Sequence, residues 1–331
     1  MPLDSFNRQI DYLRISVIDR CNLRCVYCMP LNGLRFLPNA ELLTPAEIEQ
    51  VVRAAIRVGF RKFRLTGGEP TLRADLLEIV ERIARVKDVG GLALTTNALL
   101  LPELAAPLKR AGLGRINVHL DSLNPATVEA QMRWGNFAQI WNGIMAAEAA
   151  GLTPIKLNAV VTAGYNEADV TELARLTVDR DWHVRFIELM PLGGGECATL
   201  SLKRYVSNIE TRRRIESEFG ALTEVAADNP SDEARNYRIA GARGIVGFIS
   251  PVSEPYCGSC NRMRLTADGK FHLCLLNDDE LDVRAALRSG SGHELDEVAA
   301  ILSRAVALKP TGHHLLEGRS TRDRSMFQIG G

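Results

Sequence analysis

The chain has 331 residues, 46% of them apolar and 24% charged, with 40 basic side chains balanced by 40 acidic ones and a formal net charge of zero. This is the composition of a globular chain long enough for about two domains, which excludes collagen-like, disordered and coiled-coil readings. Without a basic surplus, bulk attraction to nucleic acid or to an anionic membrane is excluded too, so neither is expected as a partner.

The first residues, MPLDSFNRQIDYLR, lack the apolar core of a secretory signal. No apolar run approaches the roughly 20 residues of a membrane span. A cytoplasmic location is therefore expected. The seven cysteines are an odd number, and six fall in two groups: Cys21, Cys25 and Cys28, then Cys257, Cys260 and Cys274. In a reducing compartment, thiols clustered in this way point to metal rather than to disulfides. Cys197 belongs to neither group and reads as an ordinary free thiol.

Along the first 190 residues, short apolar runs alternate with amphipathic stretches. The expected strands are Leu13–Ile18, Lys62–Thr66, Leu92–Thr96, Arg115–Leu120, Ile155–Val161 and Val184–Leu189. Between the first two, Thr44-Pro45-Ala46-Glu47 combines an N-cap hydroxyl, a proline at the first helical position and a glutamate placed to complete a capping box. Gly59 closes that helix. Six strand-then-helix units imply parallel strands joined by right-handed crossovers. Either a partial (β/α)6 barrel or an open doubly wound sheet fits, and the lack of a Gly-rich dinucleotide fingerprint after the first strand disfavours the second.

After Met190 the pattern changes. Gly193-Gly194-Gly195 is a break, residues 203–219 read as a basic helix, and Tyr237–Ile239 and Ile245–Ile249 read as short strands. Asp268-Gly269, between Met263–Thr266 and Lys270–Leu273, signals a hairpin. A helix is expected over residues 281–307. The division is therefore into residues 1–192, a barrel carrying the first cysteine group, and residues 193–331, a smaller α+β domain organised around the second.

Cys21, Cys25 and Cys28, spaced Cys-x3-Cys-x2-Cys, follow the first strand. Three thiolates from one loop hold three corners of an iron–sulfur cubane and leave the fourth iron open to a small molecule. A zinc site with a distant fourth ligand also fits this spacing. Cys257-Gly-Ser-Cys260 and Cys274 are again only three, and His272 makes a Cys3His zinc knuckle the competing reading, although His272 and Cys274 share a strand face with Lys270.

With Tyr27 before its last cysteine, the first motif resembles that of radical S-adenosylmethionine (SAM) enzymes, and Thr66-Gly67-Gly68-Glu69-Pro70 after the second strand resembles their SAM-binding segment. This resemblance implies a partial or full (β/α) barrel, a [4Fe–4S] cluster on Cys21, Cys25 and Cys28, and SAM chelated at the open iron. Asn261-Arg262-Met263-Arg264 after the second cysteine pair and the terminal Ile329-Gly330-Gly331 resemble the GTP 3′,8-cyclases of molybdenum cofactor biosynthesis, over essentially the whole chain. So do Asp19-Arg20-Cys21-Asn22, Leu94-Thr95-Thr96-Asn97 and Arg185-Phe186-Ile187-Glu188.

That narrower resemblance implies a second [4Fe–4S] cluster on Cys257, Cys260 and Cys274, with the guanine edge at its free iron. Arg14, Arg64, Thr95, Lys156, Arg262, Met263 and Arg264 would bind GTP; Tyr27, Gly68, His119 and Met190 would bind SAM. His119 stands where the family commonly has serine, and Ala98 where it often has glycine. The reaction implied is removal of the C3′ hydrogen of GTP by a deoxyadenosyl radical and closure onto C8, giving 3′,8-cyclo-7,8-dihydro-GTP, with no side chain acting as acid, base or nucleophile. An electron donor and a downstream cyclic pyranopterin monophosphate synthase are the implied partners; a homodimer is left open. The terminal glycines are implied to be needed for activity. Independently of the resemblance, a triphosphate of about four negative charges needs guanidinium forks. Charged residues inside otherwise apolar strands, Arg14, Arg64, Lys156 and Arg185, are candidates because burying an unpaired charge is costly. No Gly-x4-Gly-Lys-Ser/Thr loop is present, so a P-loop is excluded.

Overall fold

The structure is a computed structural model that describes residues 2–226, 231–318 and 320–330. Six strands, β1 (Tyr12–Ser16), β2 (Lys62–Thr66), β3 (Gly91–Thr96), β4 (Arg115–His119), β5 (Lys156–Val161) and β6 (His183–Glu188), pair in parallel in chain order. Between them run α1 (Pro45–Val58), α2 (Leu76–Ala84), α3 (Leu101–Arg110), α4 (Pro125–Met132), α5 (Phe137–Ala149) and α6 (Val170–Asp179). α1 starts as its sequence dictates: Thr44 Oγ1 accepts from the Glu47 amide, the Glu47 carboxylate accepts from the Thr44 amide, and Gly59 closes the helix at φ +116°.

The strands alternate in character. Leu13 and Ile15 on β1, Phe63 and Leu65 on β2, Ile116 and Val118 on β4, and Val184 and Phe186 on β6 belong to one apolar core. The intervening positions, Arg14, Arg64, Asn117 and Arg185, are polar and buried. A parallel sheet covered on both faces by apolar layers would read as continuous apolar runs. A polar inward face instead lines a cavity.

The barrel is not closed, because β1 and β6 pair elsewhere. The C-terminal part comprises α7 (Gly195–Lys203), α8 (Asn208–Phe219), β7 (Thr223–Val225), β8 (Arg235–Arg238), β9 (Ile245–Ile249), β10 (Arg262–Leu265), β11 (Lys270–His272), β12 (Glu280–Asp282), α9 (Arg284–Leu287), α10 (Glu294–Ala307) and α11 (Met326–Ile329). β10 joins β1 and β9 joins β6, both in parallel, so one sheet runs β12-β11-β10-β1-β2-β3-β4-β5-β6-β9-β8-β7 among the described residues. The second half of the chain thus extends the barrel sheet at both ends.

The Asp268-Gly269 hairpin forms as expected, pairing Arg264 with His272 and Leu265 with Phe271, with Gly269 at φ +81°. Two expectations fail. Residues 203–219 are not one helix: α7 ends at Lys203, Tyr205 bridges to Thr162, and Ser207 caps α8 by accepting from the Glu210 amide. Residues 281–307 are not one helix either, because residues 280–282 pair with β11 and Gly290 and Gly292, at φ +66° and +74°, separate α9 from α10.

Candidate active site

The strand ends open into a cleft with a cavity of about 230 Å³, lined by Cys21, Cys25 and Cys28, by Gly67 and Gly68, and by Arg14, Arg64, Arg262 and Arg264.

The first cysteine loop is folded by its own backbone. The Cys28 and Met29 amides donate to the Cys25 carbonyl, at 3.0 and 3.1 Å, and the Leu23 amide donates to Cys21 Sγ at 3.3 Å. Burial, then the Glu69 carboxylate, pushes the Cys21 thiol up to about 11; burial also raises Cys25 and Cys28. These thiols hold their protons until a metal displaces them, so cluster loading releases protons. Among the described residues no three His, Cys, Asp or Glu side chains are gathered tightly enough for a single metal ion. Three thiols from one loop, all lining the cleft, are a donor set that fits three corners of an iron–sulfur cluster.

The two glycines are sterically required. A Cβ on Gly68 would lie 2.3 Å from the Arg20 carbonyl oxygen, and one on Gly67 would lie 2.3 Å from that of Ile18. The turn after β2 therefore rests directly on the loop after β1, where the first cysteine begins. Glu69 braces it, accepting from the Thr71 amide and hydroxyl, the Thr96 hydroxyl and the Asn97 amide.

Tyr27, His119 and Met190 line the same cleft. The Tyr27 hydroxyl donates to Asp121 Oδ2 at 2.9 Å, and His119 Nε2 lies 2.9 Å from that hydroxyl and 3.1 Å from Oδ2. Asp121 is anchored through Oδ1 by the Val160 amide. Burial would lower the His119 pKa, but Asp121 outweighs it and raises the pKa above the ordinary imidazole value. The histidine thus has a fixed partner.

Opposite lie the cations. Register sets Arg264, Arg14 and Arg64 abreast on β10, β1 and β2, neighbouring strands about 4.8 Å apart. Arg185 enters from β6 and Arg262 from β10. One carboxylate, Glu233, sits among them, 2.9 Å from Arg14 Nη2, 2.8 Å from Arg262 Nη1 and 4.0 Å from Arg185 Nη1. Burial would raise its pKa, but Arg262, Arg14, Arg64 and Arg185 hold it well below the usual carboxylate range. The Nε atoms of Arg14, Arg64, Arg185 and Arg264, Nη2 of Arg262 and Oγ1 of Thr95 are buried without a hydrogen-bond partner among the described residues. Buried donors without acceptors are costly. Arg14, Arg64, Thr95, Arg262 and Arg264 line the cleft, and Arg185 lies behind them within 4.0 Å of Glu233.

Two of the residues expected at GTP stand apart. The Met263 side chain is fully buried in the apolar core, because strand alternation turns it away from Arg262 and Arg264, so Met263 can meet the cleft only through its backbone. Lys156 is buried on the inward face level with Asn117 and His183, and is not among the cleft-lining residues. Burial, then Arg185 and Arg115, lowers it to about 7.

The second triplet borders the cleft through its neighbours: Tyr256, Arg262, Arg264 and Leu275 line it, whereas Cys257, Cys260 and Cys274 do not. Burial pushes the Cys260 thiol up, but Arg262, Lys309 and Arg264 outweigh it and bring it down to about 6. At Cys260, then, cations stabilise the thiolate before any metal arrives, whereas burial raises the Cys274 thiol. His272 is held by Glu280, 3.2 Å from Nδ1. Arg8, paired with Asp4, donates to the carbonyls of Cys257, Pro310 and Thr311 and so ties the N-terminus to this loop.

Sequence reasoning missed Glu233, Arg8 and the bracing carboxylate of Glu188, which accepts from the Asn208, Val252 and Ser253 amides. Arg8 and Glu233 lie outside the strands and helices and Glu188 ends β6, so periodicity marks none of them and only long-range folding reveals their partners. The chain's end does reach the cleft: Met326 and Phe327 line it, and a Cβ on Gly330 would lie 2.5 Å from Thr66 Cγ2. Gly331 lies outside the described residues. Cys197 is buried on α7, close enough to Cys28 to raise its thiol.

Residues 15–177 match the Radical SAM superfamily and residues 182–315 match Molybdenum Cofactor Synthesis C. The chain is 48% identical over 328 residues to the GTP 3′,8-cyclase of Pelotomaculum thermopropionicum, covering 99% of each chain. It is 44% identical over 330 residues to that of Moorella thermoacetica, again covering 99% of each. Among solved structures, Streptococcus suis SuiB bound to precursor peptide SuiA shares the fold, with a TM-score of 0.61 at 15% identity, covering 88% of this chain and 64% of that one.

Proposed function

The chain belongs to the GTP 3′,8-cyclase family of radical SAM enzymes, and from that premise we propose that it cyclises GTP to (8S)-3′,8-cyclo-7,8-dihydroguanosine 5′-triphosphate. This is the first step of molybdenum cofactor biosynthesis, and a separate synthase converts the product to cyclic pyranopterin monophosphate. The observation that carries the reading is one cleft lined both by three cysteines and by arginines that keep buried nitrogens without a partner among the described residues.

Cys21, Cys25 and Cys28 hold the superfamily's [4Fe–4S] cluster, which when bound supplies the electron that cleaves SAM and starts radical chemistry. Tyr27, Gly68, His119 and Met190 bind SAM: the bare backbone at Gly67 and Gly68 admits it closely, and His119, fixed by Asp121 and Tyr27, offers a hydrogen bond where a serine would be shorter. Arg14, Arg64, Arg262 and Arg264 grip the triphosphate with their free N–H groups, Thr95 adds its hydroxyl, and Lys156 adds charge from behind. Cys257, Cys260 and Cys274 hold a second [4Fe–4S] cluster, whose thiolates Arg262, Arg264 and Lys309 stabilise. The fold supplies position and a dry cleft rather than a side-chain acid or base. An electron donor is the remaining partner.

The test is direct. Anaerobically reconstituted protein given dithionite, SAM and GTP forms 5′-deoxyadenosine and a cyclised nucleotide in step. Formation of neither, by protein with full iron content, contradicts the reading.

A further inference from the structure

Glu233 is not part of the barrel whose charges it meets. It lies two residues before β8, at one end of the sheet, whereas Arg14 and Arg262 stand on β1 and β10, beyond the barrel's open side. The Glu233 side chain therefore spans the gap between the two halves of the sheet, with Arg185 on β6 near the same oxygen as Arg14. Arg262 Nη1 also donates to the Ser231 carbonyl, so this short segment is fastened to β10 at two points.

Among the described residues, the guanidinium groups of Arg14, Arg64, Arg185 and Arg262 all act on the one Glu233 carboxylate, and each of them, like Arg264, keeps a buried nitrogen without an acceptor. A carboxylate satisfies part of a site that asks for several oxygens and more negative charge.

We propose that Glu233 holds the place of the substrate's phosphate chain in the free enzyme, and that the phosphates enter by taking Arg14 and Arg262 from it. The side chain is then a latch across the open side of the barrel, released by the ligand it imitates. This rests on GTP being the substrate, and it adds what the substrate must displace. Binding is weakened by the fraction of time the latch is shut, so a latch closed about nine-tenths of the time lowers apparent affinity about tenfold.

The experiment measures equilibrium binding of GTP, guanosine and inorganic tripolyphosphate to cluster-loaded wild type, Glu233→Gln and Glu233→Ala, without reductant or SAM. Both variants are expected to bind GTP and tripolyphosphate about tenfold more tightly, with guanosine unchanged. Without ligand, their thermal midpoints fall below wild type, and tripolyphosphate raises them by more than it raises wild type. If wild type binds GTP but neither variant binds it more tightly, the latch is overturned and the GTP reading stands. If tripolyphosphate tightens in the variants while no protein binds GTP, the latch stands and the GTP reading falls. Weaker binding of both phosphates in folded variants would make Glu233 a positioning residue and overturn the proposal.

Discussion

Lys156 shows how a single side chain reports the site. An ammonium buried among Arg185, Arg115 and Arg64 sheds its proton near pH 7 instead of near its ordinary 10.5. Because the unfolded chain holds that proton up to its ordinary value, the unfolded state binds more protons between about pH 7 and 10.5, and this residue makes stability rise with pH across that window. Bound phosphate favours the ammonium, so wild-type GTP affinity should fall as pH rises from 7 to 9. Lys156→Gln is predicted to bind GTP about tenfold more weakly at pH 6.5, to lose that pH slope, and to be more stable than wild type at pH 6 by roughly 1–2 kcal/mol. Calorimetric titration and thermal melts across pH check this; an unchanged slope in the variant would assign it elsewhere. At this scale the sequence was legible where charge interrupts an apolar strand, as at Arg14, Arg64, Lys156 and Arg185. At Met263 the motif did not show that alternation turns its middle side chain into the core. The sequence was silent on Glu233, whose partners lie about 220 and 30 residues away in the chain.

Among elements, the contact between the turn after β2 and the loop after β1 sets the site's geometry. Gly68 admits the Arg20 carbonyl where a Cβ cannot fit, and a backbone atom cannot swing aside as a side chain would. Gly68→Ala is predicted to push the cysteine loop outward, lowering iron retention after desalting to half or less of wild type and destabilising the fold by about 1–3 kcal/mol. Wild-type iron content and stability in the variant would count against this contact. The Thr44 capping box and the Asp268-Gly269 hairpin were readable because each is fixed by neighbours within a few residues. The broken helices at residues 203–219 and 281–307 were not. The first break follows from a bridge to Thr162, and the second from an edge pairing with β11 that local helical pattern conceals.

Over the whole molecule, the parallel pairing of β10 with β1 and of β9 with β6 makes one sheet from two segments matched by different families. The barrel of six units was legible from its repeated strand–helix pattern. The joining of the C-terminal strands to both of its ends was not, because nothing local records which strand will be a neighbour some 250 residues later. That joining brings Tyr256, Arg262, Arg264 and Leu275 to the cleft that Cys21, Cys25 and Cys28 line. The central claim is that each cysteine triplet holds its own cluster beside this shared cleft. Iron and sulfide counting on anaerobic protein tests it most directly. Wild type should carry about eight irons and eight sulfides, and replacing Cys21, Cys25 and Cys28, or instead Cys257, Cys260 and Cys274, by alanine should leave about four of each. Zinc in place of iron at either triplet, or loss of all iron when only one triplet is removed from a folded chain, would contradict it.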